Sequence, residues 1–134
     1  MRRAVALLCV AALVACSGDE GSAEELCTAV RAQPSLTNAF AGFDPTDTEH
    51  ALEQLRAARV TLGELRDAAP SEVRDDLAVE IDYVQALVEG LEAVDGHDTS
   101  ETVTVVQQIT DKHPGVADAA ATLAAFAEES CSGS

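Results

Sequence analysis

The chain has 134 residues, the size of one domain, with 24 acidic against 8 basic side chains and a formal net charge of −16. Such a polyanion repels phosphates, and this excludes nucleic-acid binding, which needs a basic patch. Hydrophobic residues make up 47% of the chain and aromatics only 3%, so the core must be built from Leu, Val, Ile and Ala and will be modest.

Met1-Arg2-Arg3 is a short positive segment, and the run from Ala4 to Ala15 is apolar without a break. A transmembrane helix needs about 20 apolar residues, so residues 1–15 are read as a signal peptide and not as a span. The run closes on Leu13-Val14-Ala15-Cys16, followed by Ser17 and Gly18, which resembles a bacterial lipobox. That resemblance implies a diacylglyceryl thioether on Cys16 and cleavage just before it. Two or three acyl chains, at about 0.8 kcal/mol per buried methylene, anchor a protein where one chain holds it only marginally. The expected location is therefore the extracytoplasmic side of the cell membrane, with the N-terminal lipid as the membrane contact. Cys9 leaves with the leader. Residues 16–22 form a lipidated cysteine and a short acidic tether, and residues 23–134 form the folded domain.

The domain reads as a series of helices separated by breakers. Ala23 to about Gln33 puts Leu26, Cys27 and Val30 on one face, and Pro34 interrupts it. Leu36, Phe40 and Phe43 recur at helical spacing, and the two phenylalanines are expected to fill the end of the bundle. Asp44-Pro45-Thr46-Asp47-Thr48-Glu49 is a helix start, with Asp44 as cap or Thr46 and Glu49 as a capping box. The helix that follows, to about Ala69, carries Leu52, Leu55, Leu62 and Leu65, and its Gly63 costs about 1 kcal/mol unless it permits close helix contact. Pro70-Ser71-Glu72 opens the next, whose apolar stripe is read as Val73, Leu77, Ile81, Val84, Val88 and Leu91. Asp98 caps a shorter helix with Val103, Val106 and Ile109 inward. His113-Pro114-Gly115 breaks it, and a last helix from Val116 to about Ser130 turns Ala120, Leu123, Ala124 and Ala127 inward. Short connections between amphipathic helices predict an all-α antiparallel up-down bundle of four or five helices.

With Cys9 removed and Cys16 lipidated, Cys27 and Cys131 remain, and an exported domain matures where disulfides persist. The single pairing they allow would tie the first helix to the last. It would close a loop of about 100 residues, for which the chain-entropy model gives about 4.7 kcal/mol as an upper value.

The runs Gly42-Phe43-Asp44-Pro45-Thr46-Asp47, Ala51-Leu52-Glu53-Gln54-Leu55-Arg56-Ala57-Ala58-Arg59 and Ala68-Ala69-Pro70-Ser71-Glu72-Val73-Arg74-Asp75-Asp76-Leu77 resemble a class of small secreted helical lipoproteins of actinobacteria. An early cysteine after the tether and a late one near the end belong to that pattern, matched here by Cys27 and Cys131. The resemblance implies no catalytic residue.

No constellation for catalysis or metal binding stands out. His50, His97 and His113 have no ligand-spaced partner and are read as solvent-exposed. Ser35, Ser71 and Ser100 are loop or capping serines with no nucleophile elbow. Glu72, Asp75, Asp76, Glu80, Asp82, Glu89, Glu92 and Asp95 occupy positions left over by the apolar stripe of one helix and are read as a solvated acidic face. That face would suit a cationic or envelope protein partner. The expected function is a membrane-anchored, non-enzymatic interaction or ligand-binding module of the cell envelope, without cofactor. The alternative is a hydrolase or lipid-handling protein whose site forms only in three dimensions.

Overall fold

The computed structural model describes residues 21–32, 44, 46–94 and 96–132. It is all-helical over these residues, in five helices: α1 (Ala23–Ala32), α2 (Thr48–Ala68), α3 (Ser71–Glu92), α4 (Thr99–Lys112) and α5 (Val116–Cys131). Residues 1–20, with the expected signal peptide and Cys16, and the segment 33–43 with Leu36, Phe40 and Phe43 lie outside the described residues.

The spine is the antiparallel pair of α2 and α3, which share the largest helix contact. Only Ala69 and Pro70 connect them. The proline ring disfavours helical backbone in the residue before it, and Ala69 is accordingly extended, at φ −78° and ψ 143°. The facing seams of the two helices follow one rule. On α2 and its turn the buried residues are Ala51, Leu55, Ala58, Leu62, Leu65 and Ala69; on α3 they include Val73, Leu77, Glu80, Val84, Leu87 and Leu91. Both series step alternately by four and three residues, the spacing that keeps one stripe of a helix against a partner. Leu52 and Ile81 lie beside the stripes and are only partly buried. The α3 seam thus runs through Glu80 and Leu87, where the sequence reading placed Ile81. Arg56 pairs with Glu92 across the hairpin at 2.6 Å, but both side chains are about half exposed, and such pairs contribute at most about 1 kcal/mol.

Each remaining helix covers part of this spine. In α1, Ser22 and Glu25 form a reciprocal capping box: the Ser22 hydroxyl accepts from the Glu25 amide and the Glu25 carboxylate accepts from the Ser22 amide. Ser22 therefore belongs to the helix start and not to a free tether. Gly21 packs onto the α2–α3 turn so closely that a Cβ there would overlap the Ala68 carbonyl. Asp47, and not Asp44, caps α2, accepting from the His50 amide at 3.1 Å. Asp44 instead closes a turn with the Thr46 amide and hydroxyl, and the hydroxyl above all holds its carboxyl below the usual aspartate value.

Asp98 caps α4 as expected, accepting from the Glu101 amide at 3.0 Å. The inward residue in the first turns of α4 is Thr102, fully buried, while Val103 points to solvent at 47% exposed. A stripe through Thr102, Val106 and Ile109 follows the 3.6-residue period, and Val103 falls one position off it. The Thr102 hydroxyl avoids an unpaired burial by donating to the Asp98 carbonyl. Gly90 on α3 lets this helix approach, since a Cβ there would press on Ile109 and Val105; Gly63 on α2 has nothing within 4 Å of its missing Cβ. Gly63 therefore costs helix propensity with no packing in return.

The Sγ atoms of Cys27 and Cys131 are bonded, with the Cα atoms 5.4 Å apart. The bridge is the expected one, and it joins α1 to the end of α5 in a helical bundle stapled by one disulfide.

Candidate functional site

Alanine is too small to fill the space that a leucine-faced groove leaves, and α5 presents alanines where α2 and α3 present leucines. The result is a cavity of about 320 Å³ between α1, α2, α3 and α5. Leu26 and Val30 of α1, Leu62 and Leu65 of α2 and Leu77 of α3 form one side. On the other side α5 contributes Leu123, Phe126 and the small residues Ala120, Ala124 and Ala127, with Cys131 at its end. The four α5 residues predicted to point inward line this cavity instead of closing a core, and the α5 residue that is buried is Ala119, one position off that face. Ala120 and Ala124 are solvent-exposed, so the cavity opens along α5. The bridge at Cys131 and the buried Ala119 tie α5 to the bundle near both of its ends.

Among the described residues, one polar side chain lines this apolar space. Glu80 is 8% exposed, and its Oε1 has no hydrogen-bond partner. Loss of water around the carboxyl pushes its pKa above the usual glutamate value, because burial penalises the charged form. This corrects the sequence reading, which assigned Glu80 to the solvated face. Its i−3 and i+4 neighbours on the seam are Leu77 and Val84, and a residue at that spacing is turned to the partner helix whatever its polarity. Of the rest of the acidic row, Glu72, Asp75, Asp82, Glu89 and Glu92 are exposed as expected, while Asp76 is half-buried. Asp95 lies outside the described residues.

The other residues singled out in the sequence do not converge. His50 is exposed and bonds Gln54 at 3.1 Å, and His97 is exposed. His113 departs from expectation: it is half-buried at the end of α4, its Nδ1 donates to the Ile109 carbonyl at 2.8 Å, and its ring sits 5.7 Å from that of Tyr83. It closes the helix end and is not among the residues that line the cavity. Ser71 and Ser100 lie exposed in the first turns of α3 and α4, and Ser35 is outside the described residues. Among the described residues no three His, Cys, Asp or Glu side chains are grouped to hold a metal ion, and no helix is long and apolar enough to cross a membrane.

The chemistry available in the cavity is therefore apolar contact plus a single carboxyl group. A carboxylate pair working as acid and base needs two such groups with opposed environments, and Cys131 is already oxidised. No protein-family model, curated protein or solved structure matches the chain.

Proposed function

We propose that this protein is a lipid-anchored, extracytoplasmic binding module that takes the apolar part of a small ligand into the cavity under α5. The observation that carries the reading is the cavity itself. At about 320 Å³ it is roughly twice the ~150 Å³ apolar cavity that suffices to bind benzene. Soluble domains ordinarily fill such a volume, since each unfilled methyl-sized gap costs about 1 kcal/mol.

Anchoring through Cys16 supports the same reading. Gly21 is only five positions after Cys16, at most about 18 Å of extended chain. Gly21 packs on the α2–α3 turn, so a lipid on Cys16 would hold that end of the bundle near the bilayer. Leu26 and Leu65, in the first turn of α1 and the last turn of α2, both line the cavity. The cavity would thus lie within reach of amphiphiles leaving the membrane.

Ala124→Phe places a ring in the cavity and replaces no residue of the α2–α3 seam. The substitution is expected to abolish binding of a neutral naphthylamine dye while leaving the melting temperature within a few degrees; equal dye binding by both proteins would rule out the cavity as the site. For the anchor, metabolic labelling with an alkyne fatty acid should tag the wild-type chain and not Cys16→Ser. Equal labelling of the two would remove the membrane from the proposal.

A further inference from the structure

We infer that the ligand of this cavity is a cationic amphiphile: a primary amine or similar donor on an apolar tail, with the Glu80 carboxylate holding the charged head. The inference rests on the cavity being a ligand site and adds the chemistry of the head group. Three observations support it. Glu80 is 8% exposed, lines the cavity, and leaves Oε1 without a partner; buried polar groups are nearly always satisfied, so an orphan acceptor in the wall of an apolar cavity marks a position for a donor. Everything else lining the space is apolar, which suits a tail. The chain also carries a net charge of −16, which attracts cations and repels anions on approach.

A neutral alcohol could donate to the same oxygen, but a charge-assisted bond is roughly twice as strong as a neutral one. Folding has already stripped water from the carboxyl, so an incoming ammonium meets a desolvated acceptor and brings only its own desolvation cost. As the head seats, any proton on Glu80 is released to solvent, and binding therefore weakens on acidification.

Among the described residues no second titratable group lines the cavity to confuse that dependence. From α2, the cations that reach α3 are Arg56 and Arg59, on Glu92 and Gln85. From α4, His113 lies against Tyr83, and Lys112 is exposed at the helix end. On α5, Asp118, Glu128 and Glu129 are exposed. On α1, Arg31 donates to the Cys131 carbonyl at 3.2 Å, at one end of the cavity.

The probes are octylamine, octanol and octanoate, titrated calorimetrically into the full-length chain held in phosphatidylcholine nanodiscs, with empty nanodiscs subtracted. An alkylammonium resembles the lysine side chain and stays charged at neutral pH. Octylamine is expected to bind at least about tenfold more tightly than octanol. The preference should shrink as the pH falls through the Glu80 titration and should vanish in Glu80→Gln. Retained octanol binding shows that the variant is folded with its cavity intact. Equal binding of all three probes, unchanged in Glu80→Gln, would overturn the head-group assignment and leave the cavity reading standing. Preferential octanoate binding, lost in Arg31→Gln, would overturn it in favour of an anion site at the Cys131 end. If none of the probes binds, the cavity reading and this inference fall together.

Discussion

Replacing Cys27 and Cys131 together by alanine is expected to lower the melting temperature by more than about 10 °C and to abolish dye binding before the rest of the bundle unfolds. The crosslink spans 104 positions, and the chain-entropy model gives about 4.7 kcal/mol for a loop of about 100 residues, an upper value because measured bridges often deliver less. Even half of that is a large share of the 5–15 kcal/mol by which a domain of this size is stable, and each kcal/mol moves the midpoint by several degrees. The effect should also be local. The ten residues of α1 are too few for an isolated helix in water, and α1 is held by its contacts to α2 and α5 and by the bridge. Without the bridge, both α1 and the end of α5 are free to move, and these are two of the four cavity walls. Alanine serves better than serine here, since Cys27 is 3% exposed and a hydroxyl would be buried without a partner. Thermal circular dichroism and dye titration at matched concentration test the expectation, and peptide mapping under non-reducing conditions should recover one linked pair. An unchanged midpoint would show that helix packing alone holds α1 in place.

What the sequence disclosed followed from how tightly each feature is tied to local chemistry. Pro70, Asp98 and the His113-Pro114-Gly115 break fix helix boundaries through backbone constraints that do not depend on the fold, and the boundaries fell where those residues indicate. The start of α2 was less determined. Asp44 and Asp47 are both chemically able to cap, and only the packing of Thr48, 5% exposed, selects the second. The paired seams of α2 and α3 were legible by their leucines but not by their alanines, because Ala51 and Ala58 are too weakly hydrophobic to mark a stripe on their own. Glu80 was hidden for a related reason. In a helix crowded with acids its charge suggested solvent, whereas its spacing from Val73, Leu77, Val84, Leu87 and Leu91 indicated the seam. Reading position ahead of polarity would have found it. The cavity itself was not legible. The α5 residues read as inward line the cavity, but Ala120 and Ala124 are exposed and Ala119 is the buried one; whether alanines facing leucines close a core or leave a gap depends on the distance between helices, and a periodic pattern carries no information on that.

Glu80→Leu is expected to stabilise the protein at neutral pH and to remove part of its pH dependence, while removing the preference for an amine. In the wild-type chain, burial raises the folded-state pKa of Glu80 above its unfolded value. The folded protein therefore holds the Glu80 proton more tightly than the unfolded chain does. Stability from this group is fully present below the unfolded value of about 4.5 and is lost as the pH rises through the folded-state pKa. Above it, the fold carries a buried and unpaired carboxylate, a defect that costs about 1–3 kcal/mol in neutral form and more when charged. Leucine at the same place continues the seam between Leu77 and Val84 with a side chain of similar size. The many surface carboxylates also destabilise the fold as they ionise, through mutual repulsion under a net charge of −16, but they do so almost equally in both proteins and cancel in the difference. Urea melts of the wild type, Glu80→Leu and Glu80→Gln from pH 4 to pH 8 isolate the term: the wild type should approach Glu80→Gln at the acid end and fall away from it as the pH rises, with Glu80→Leu the most stable of the three throughout. A wild type more stable than Glu80→Leu at pH 8 would mean that the carboxylate is satisfied inside the protein, and the orphan acceptor on which amine recognition depends would not exist. The expected outcome instead places Glu80 among residues that a fold keeps at a cost to its own stability, with a bound cation as the partner that offsets the cost.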